Sequence, residues 1–204
     1  MTTVYFDFLC PYAWRGLELL AALDISFEPR HYSLVQGNHA DNAGLPRNAQ
    51  VWKLAEQPFT NHAESLEQSL EAFLSNHAAQ QQGEPSHLQF MLELLRLKHT
   101  DKKELNQATT LLAATNAHLD LPAFLAARAD EPARRAELAT DLATAGELGV
   151  FATPTIQLES GNIAYFRFAN LPESRQAKQD LWQIYQTVLE SDARIETIKR
   201  AKRP

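Results

Sequence analysis

Hydrophobic positions along this chain change their period several times, and each change marks an element. From Thr3 to Leu9 the residues alternate weakly and are rich in valine, tyrosine and phenylalanine, the pattern of a buried strand. Pro11 then suits the first turn of a helix, where a missing N–H costs nothing. Trp14, Leu17, Leu20 and Leu23 continue at helical spacing. Ile25 to Leu34 reads as a second strand, with Pro29 placing it at an edge or near an end. The chain therefore opens β-α-β.

Val35 to Asn48 is polar and turn-rich, and reads as a loop. A long helical section follows, with Leu66, Leu70, Phe73 and Leu74 on one face. Ser86 with Gln89 predicts a capping box opening a helix through Leu97, and Asp101 with Glu104 predicts another opening a helix through Ala117. Pro122 begins a short helix. Asp130 and Pro132 begin a further one, ending near Gly146 or Gly149. Strand signals return at Thr155–Leu158 and Ile163–Phe168, on either side of a hairpin turn at Glu159–Asn162. A last helix runs from about Pro172 to Glu190 and turns Leu181, Trp182, Tyr185 and Leu189 inward. This order predicts an α/β sheet domain (1–44 and 131–204) interrupted by a helical insertion domain (45–130). The two sheet-forming halves must pair to complete a core.

Composition narrows the class. With 204 residues, 45% hydrophobic and 22% charged, the chain can bury a core without disulfides or structural metal. Its single cysteine excludes an intramolecular disulfide and points to a reducing, cytoplasmic compartment. The N-terminus has no basic leader and its apolar run carries Asp7, so no signal peptide is expected. No apolar run approaches the roughly twenty residues of a membrane helix. A net charge of −6 disfavours nucleic acid as a partner. The basic cluster Ile198–Pro204 reads as a solvated tail. No two of the histidines (His31, His39, His62, His77, His87, His99, His118) have the i, i+4 spacing of a helical metal site, so no metal is expected. Phosphate-cradling glycine loops and G-x-S-x-G are absent.

The candidate chemistry sits at Cys10, where strand gives way to helix. Free N–H groups of a first helical turn and the helix dipole, about half a positive charge, favour a thiolate there. The thiolate is the form that attacks disulfides and electrophiles. The plain alternative is a small buried apolar residue, as most free cysteines are. A second feature is Gly149–Leu158, where Thr153-Pro154 sits just before a strand. An ordinary trans boundary proline is the alternative there. Trp14 reads as core, or as the edge of a cleft.

Taken in order, strand, "DFLCPYAWRG", helix, strand, helical insertion, "GVFATPTI", hairpin and helix resemble the DsbA-like branch of the thioredoxin superfamily. The closer resemblance is to FrnE-type oxidoreductases, kappa-class glutathione transferases and 2-hydroxychromene-2-carboxylate isomerases. The family signature Asp-Phe-x-Cys-Pro-x-Cys stands here as Asp7-Phe8-Leu9-Cys10-Pro11-Tyr12-Ala13. Gly-Val-x-Gly-Thr/Val-Pro-Thr stands as Gly149-Val150-Phe151-Ala152-Thr153-Pro154-Thr155. The resemblance implies an α/β thioredoxin-like fold with an α-helical insertion, a catalytic Cys10, and substrate contacts at Pro11, Tyr12, Ala13, Trp14, Thr153 and Pro154. It also implies a cis Thr153–Pro154 bond opposite the thiol. A weaker similarity in Phe27–His39 would put Tyr32, Ser33, Gln36, Asn38 and His39 along the cleft; a surface loop without a ligand fits those residues as well.

Ala13 departs from the signature. A second cysteine would resolve a mixed disulfide at the first, and alanine cannot. An outside thiol must do so, and glutathione, bacillithiol and mycothiol are the candidates, with no bound cofactor. The kappa-class and isomerase relatives carry serine at the first position, so this chain keeps the cysteine and loses the resolver. Three readings stay open: a monothiol oxidoreductase, a transferase-like or isomerase-like enzyme, and a binding protein without chemistry. A homodimer is a further expectation from the resemblance.

Overall fold

Strand β1 (Thr2–Phe6) lies inside a four-stranded sheet and is covered on both faces, with Val4, Tyr5 and Phe6 all buried. The computed structural model describes residues 1–56 and 63–198; His62 and the basic tail beyond Ile198 lie outside them. β1 runs parallel to β2 (Phe27–His31), pairing Tyr5 with Arg30 and Phe6 with His31. α1 (Pro11–Ala22) makes the crossover between them. β3 (Thr155–Gln157) pairs antiparallel on the other side of β1, and β4 (Ile163–Tyr165) completes the order β2-β1-β3-β4. Pro29 is tolerated because β2 is an edge strand. Gly161, at φ +88°, closes the β3–β4 turn, a conformation that residues with a Cβ rarely adopt.

Val35–Asn48 is not all loop. Leu34–Gly37 forms one helical turn, α2, capped by Ser33, and a tight turn follows at Ala40–Asn42. Then come α3 (Glu64–Gln80), α4 (Ser86–His99), α5 (Gln107–Asn116), α6 (Leu121–Ala129) and α7 (Glu131–Glu147). Neither expected capping box forms. Ser86 is the first helical residue after a cis Glu84–Pro85 bond, and Glu84 instead accepts from Leu88 N at 3.1 Å. Asp101 is drawn to Arg96 at 3.0 Å, so α5 starts later, with Asn106 accepting from Thr109 N. Pro122 and Pro132 stand in the first turns of α6 and α7 and Asp130 caps α7, as the sequence predicts; the cap of α6 is Asp120.

Beyond Leu66, Leu70, Phe73 and Leu74, α3 also buries Ser69, Asn76 and His77, because α4, α5, α6 and α7 pack around it. α7 packs on α3 and on β2. One contiguous apolar cluster runs from Val4 and Phe6 through Phe73 to Phe90 and Phe124. α8 (Arg175–Leu189) lies against α1 and buries Trp182 and Tyr185. The Tyr185 hydroxyl donates to the Ile156 carbonyl of the sheet. Among the described residues no helix is long and apolar enough to cross a membrane.

Candidate active site around Cys10

Cys10 is the N-cap of α1, in extended backbone at φ −93° and ψ 113°. The fold of the preceding turn puts it there. Cys10 N donates to the Asp7 carbonyl at 3.0 Å, and the buried Asp7 side chain accepts from Leu9 N and Leu34 N, each at 2.9 Å. Ser69 of α3 adds a third donor at 3.3 Å. Asp7 thus ties the β1–α1 turn to the start of α2 and to α3. Burial pushes its carboxyl up to about 6, against the pull of those donors.

Among the described residues the sulfur makes two polar contacts. Ala13 N donates to Sγ at 3.4 Å, the free first-turn donor that the helix start implies. Sγ in turn donates to the Thr153 carbonyl at 3.3 Å, so Thr153 lies against the thiol. The Thr153–Pro154 bond is cis. Cys10 is only 5% exposed, which a helix mouth on an open groove does not predict. The turn before β3 closes over the sulfur. Thr153 Oγ1, next to the sulfur's acceptor, is buried without a hydrogen-bond partner among the described residues.

Close approach of that turn depends on Gly16. A Cβ there would lie 2.9 Å from Pro154 Cγ and 3.3 Å from Pro154 Cβ. Helix propensity alone would make Gly16→Ala stabilising by about 1 kcal/mol. Overpacking a rigid ring costs about 1–3 kcal/mol. The expected result is a net loss of stability in urea denaturation; a gain would show that α1 and the Pro154 turn fit loosely.

Cationic and aromatic groups surround the mouth. Tyr12 carries the Arg167 guanidinium 3.8 Å above its ring and the Arg15 guanidinium at 5.3 Å. Arg167 also donates to the Tyr12 hydroxyl, and Tyr165 on β4 sits close enough to Cys10 and Arg167 to feel both. Burial raises the Tyr165 phenol above its ordinary value, partly offset by Arg167. Trp14 is half-buried and stacks on His99, with ring centroids 5.5 Å apart and 14° between planes. His99 Nε2 reaches the Phe8 carbonyl at 2.9 Å; burial pushes its ring down to about 4.

Sequence reasoning misses Arg15, Arg167, Tyr165 and His99. Arg15 was adjacent to the motif, but the others come from elements whose path to Cys10 no local pattern gives. Three of the five weaker cleft candidates need correction. Tyr32, Ser33 and Gln36 are buried: Ser33 caps α2, Gln36 Oε1 accepts from Leu54 N at 3.1 Å, and Tyr32 packs on Trp52. Asn38 and His39 are exposed but spend their side chains on neighbouring backbone, Leu34 O and Asp41 N. A cavity of about 600 Å³ elsewhere, lined by Glu18, Gln89, Glu93, Arg96, Asn116 and His118 among others, includes none of the Cys10 group. The histidines, unpaired in sequence, are brought together in space: His31 of β2 and His77 of α3 meet Asp141 of α7, a group with metal-ligating atoms.

A family model described as thioredoxin matches residues 4–163. The chain belongs to the thioredoxin family. No curated protein sequence matches it. Three solved structures share the fold of this thioredoxin-family chain. A 2-hydroxychromene-2-carboxylate isomerase has TM-score 0.60 and 16% identity, over 96% of this chain and 99% of that one. The probable DsbA oxidoreductase of Streptomyces coelicolor has TM-score 0.57 and 18% identity, over 89% of each chain. The cytosolic disulfide reductase DsbM of Pseudomonas aeruginosa, solved with GSH, has TM-score 0.57 and 15% identity, over 91% of this chain and 98% of that one. The fold is thus the DsbA-like form of the thioredoxin fold, here with Cys10 alone in the motif.

Proposed function

We propose that this protein is a monothiol oxidoreductase, with Cys10 as the reacting group and a small carboxylate-bearing thiol as cosubstrate. The observation that carries this reading is the seat of Sγ at the start of α1, where Ala13 N donates to it, beneath the cis-proline turn that Thr153 begins. The Thr153 side chain beside it leaves one buried hydroxyl for a ligand.

Chemistry follows from the missing resolver. The Cys10 thiolate attacks one sulfur of a disulfide substrate; the S–S bond breaks, the other sulfur leaves as a thiolate, and a mixed disulfide remains on Cys10. With Ala13 in place of a second thiol, an external thiolate attacks that mixed disulfide, releases a new disulfide and restores the Cys10 thiolate. Arg15 and Arg167 supply positive charge at the mouth, suited to carboxylates on the cosubstrate. That favours glutathione or bacillithiol over mycothiol, which carries no carboxylate. The 5% exposure of Cys10 favours a small partner over a folded protein. The structure of DsbM with GSH supports the same choice by analogy of fold.

The test is intact mass after incubation with the three small-thiol disulfides, each separately. One glutathionyl or bacillithiol adduct is expected, absent in Cys10→Ser and formed about tenfold more slowly in Arg167→Ala, the worth of one partly exposed charge contact. No adduct from any of them would sink the oxidoreductase reading. Turnover of an isomerase or transferase substrate that survives Cys10→Ser would assign the second enzyme class instead.

A further inference from the structure

We propose that His31, His77 and Asp141 form a binding site for a divalent transition-metal ion of the zinc class, clamping α3 and α7 to the edge strand β2. The site is independent of the thiol chemistry at Cys10.

The argument begins with three atoms. His31 Nδ1 lies 2.9 Å from Asp141 Oδ2 and 3.1 Å from His77 Nε2, and His77 Nε2 lies 3.3 Å from the same oxygen. Zinc bonds of about 2.0–2.2 Å in tetrahedral geometry set ligand atoms roughly 3.3 Å apart. The triangle is therefore close to one face of a zinc tetrahedron. With both facing ring nitrogens protonated, each donates to Asp141 Oδ2 and the two N–H groups face each other across 3.1 Å; with one protonated, the bare ring nitrogen faces the carboxylate oxygen. Each hydrogen-bonded arrangement keeps one repulsive edge, and a cation over the triangle relieves it.

Surrounding groups support ligation. Asp141 Oδ1 accepts from Arg30 at 2.9 Å, and His31 N donates to Oδ2 at 3.0 Å, so the carboxylate is fixed in place. The Asn76 amide spans His31 Nε2 and His87 Nε2, 3.1 Å from each. As it stands, Nδ2 donates to His31 Nε2 and Oδ1 accepts from His87 Nε2, so His31 Nδ1 carries the proton and gives it to Asp141; a metal at Nδ1 displaces that proton, moves the ring's N–H to Nε2 and turns the amide so that Oδ1 accepts it. In that turned orientation its amino group donates to His87 Nε2, with His87 Nδ1 3.3 Å from Glu84 to hold the displaced proton, so the outer chain can follow the tautomer that a ligand histidine needs. On the second ring, His77 Nδ1 faces Glu137 at 3.6 Å, and Glu137 Oε2 is a buried oxygen without a hydrogen-bond partner among the described residues.

Access is present. A cavity of about 220 Å³, lined in part by Arg30, His77, Glu137 and Asp141, opens beside the triangle and leaves room for water in the fourth position. Two imidazoles with one carboxylate suit zinc and its neighbours; calcium and magnesium want all-oxygen shells, and copper(I) wants sulfur. The three ligands come from β2, α3 and α7, so an ion binds the folded chain and not the unfolded one.

The test uses the full chain freed of metal by chelator, then titrated with zinc chloride against a chromogenic chelator. One zinc per chain is expected, with a melting temperature raised by about 5–10 °C when free zinc is about a hundredfold above its dissociation constant. His77→Gln is expected to weaken binding by about a hundredfold or more. Cys10→Ser is expected to bind as the parent does. X-ray absorption of the zinc-loaded parent, which needs no variant to fold, should show two imidazoles and no sulfur. Failure to take up zinc, unchanged affinity in His77→Gln, loss of binding in Cys10→Ser, or a sulfur ligand would each overturn the proposal.

Discussion

Asp141→Ala is expected to lose about 3 kcal/mol of stability or somewhat more, the low end of the range for removing one partner of a buried ion pair. The carboxylate is 1% exposed and accepts from the Arg30 guanidinium, from His31 N and from the imidazole rings. Removing it leaves the buried His31 N–H and ring unpaired and takes the counter-charge from Arg30. Arg30 is 32% exposed and can recover water, which is why the low end applies. A domain holds only about 5–15 kcal/mol in total, so this single change consumes a large share. Urea denaturation in the presence of chelator measures it without any metal contribution. A loss under about 1 kcal/mol would mean that solvent already reaches this network.

Acid is expected to unfold the chain well before carboxylates titrate. Burial, helped by the charge of His77, pushes His31 down to about 4 in spite of Asp141; burial also lowers His87 to about 4, helped by His31 and His77. His99 is lowered to about 4, again chiefly by burial. Each ring binds its proton more weakly folded than unfolded, so unfolding takes up protons. That stability is complete above the ordinary value of 6.5 and is lost as pH falls towards about 4. His31 by itself corresponds to a loss on the order of 3 kcal/mol.

Asp7 works in the opposite direction. Its carboxyl, raised from 3.8 to about 6, binds a proton more tightly folded than unfolded, so it costs stability above about 6 and returns it as pH falls to about 4. Three lowered histidines outweigh one raised carboxyl. Asp141 does not share in the loss here. Burial alone would raise it, but the donors and charge of His31 and His77 hold it well below the usual carboxylate range, so its contribution persists to lower pH. The expected urea midpoint therefore falls steeply between about pH 6.5 and 4.5. A flat profile over that interval would show that the rings are protonated in the folded protein.

Local signals were read correctly where the physics is local. Pro11, Pro122 and Pro132 all stand in first turns, and Asp130 caps its helix, because a missing N–H and a short acceptor act within three residues of themselves. Cys10 as N-cap follows from the same reasoning. The two capping boxes failed because each asked a local pair to outcompete other partners. Asp101 found Arg96, and the segment entering α4 took the Glu84–Pro85 turn.

Sequence by itself determined the order of elements, the edge position of β2, the thiol at a helix start and the lack of a resolving cysteine. These rest on periods, caps and residue identities that the chain carries along its length. Only the tertiary structure decided that Thr153 covers the sulfur, that Arg167 reaches Tyr12 and that Ser69 of α3 holds Asp7. It alone decided that His31, His77 and Asp141 meet. Such contacts join residues tens to more than a hundred positions apart, and packing the helices against the sheet sets them; no periodicity in one segment records where another segment will land.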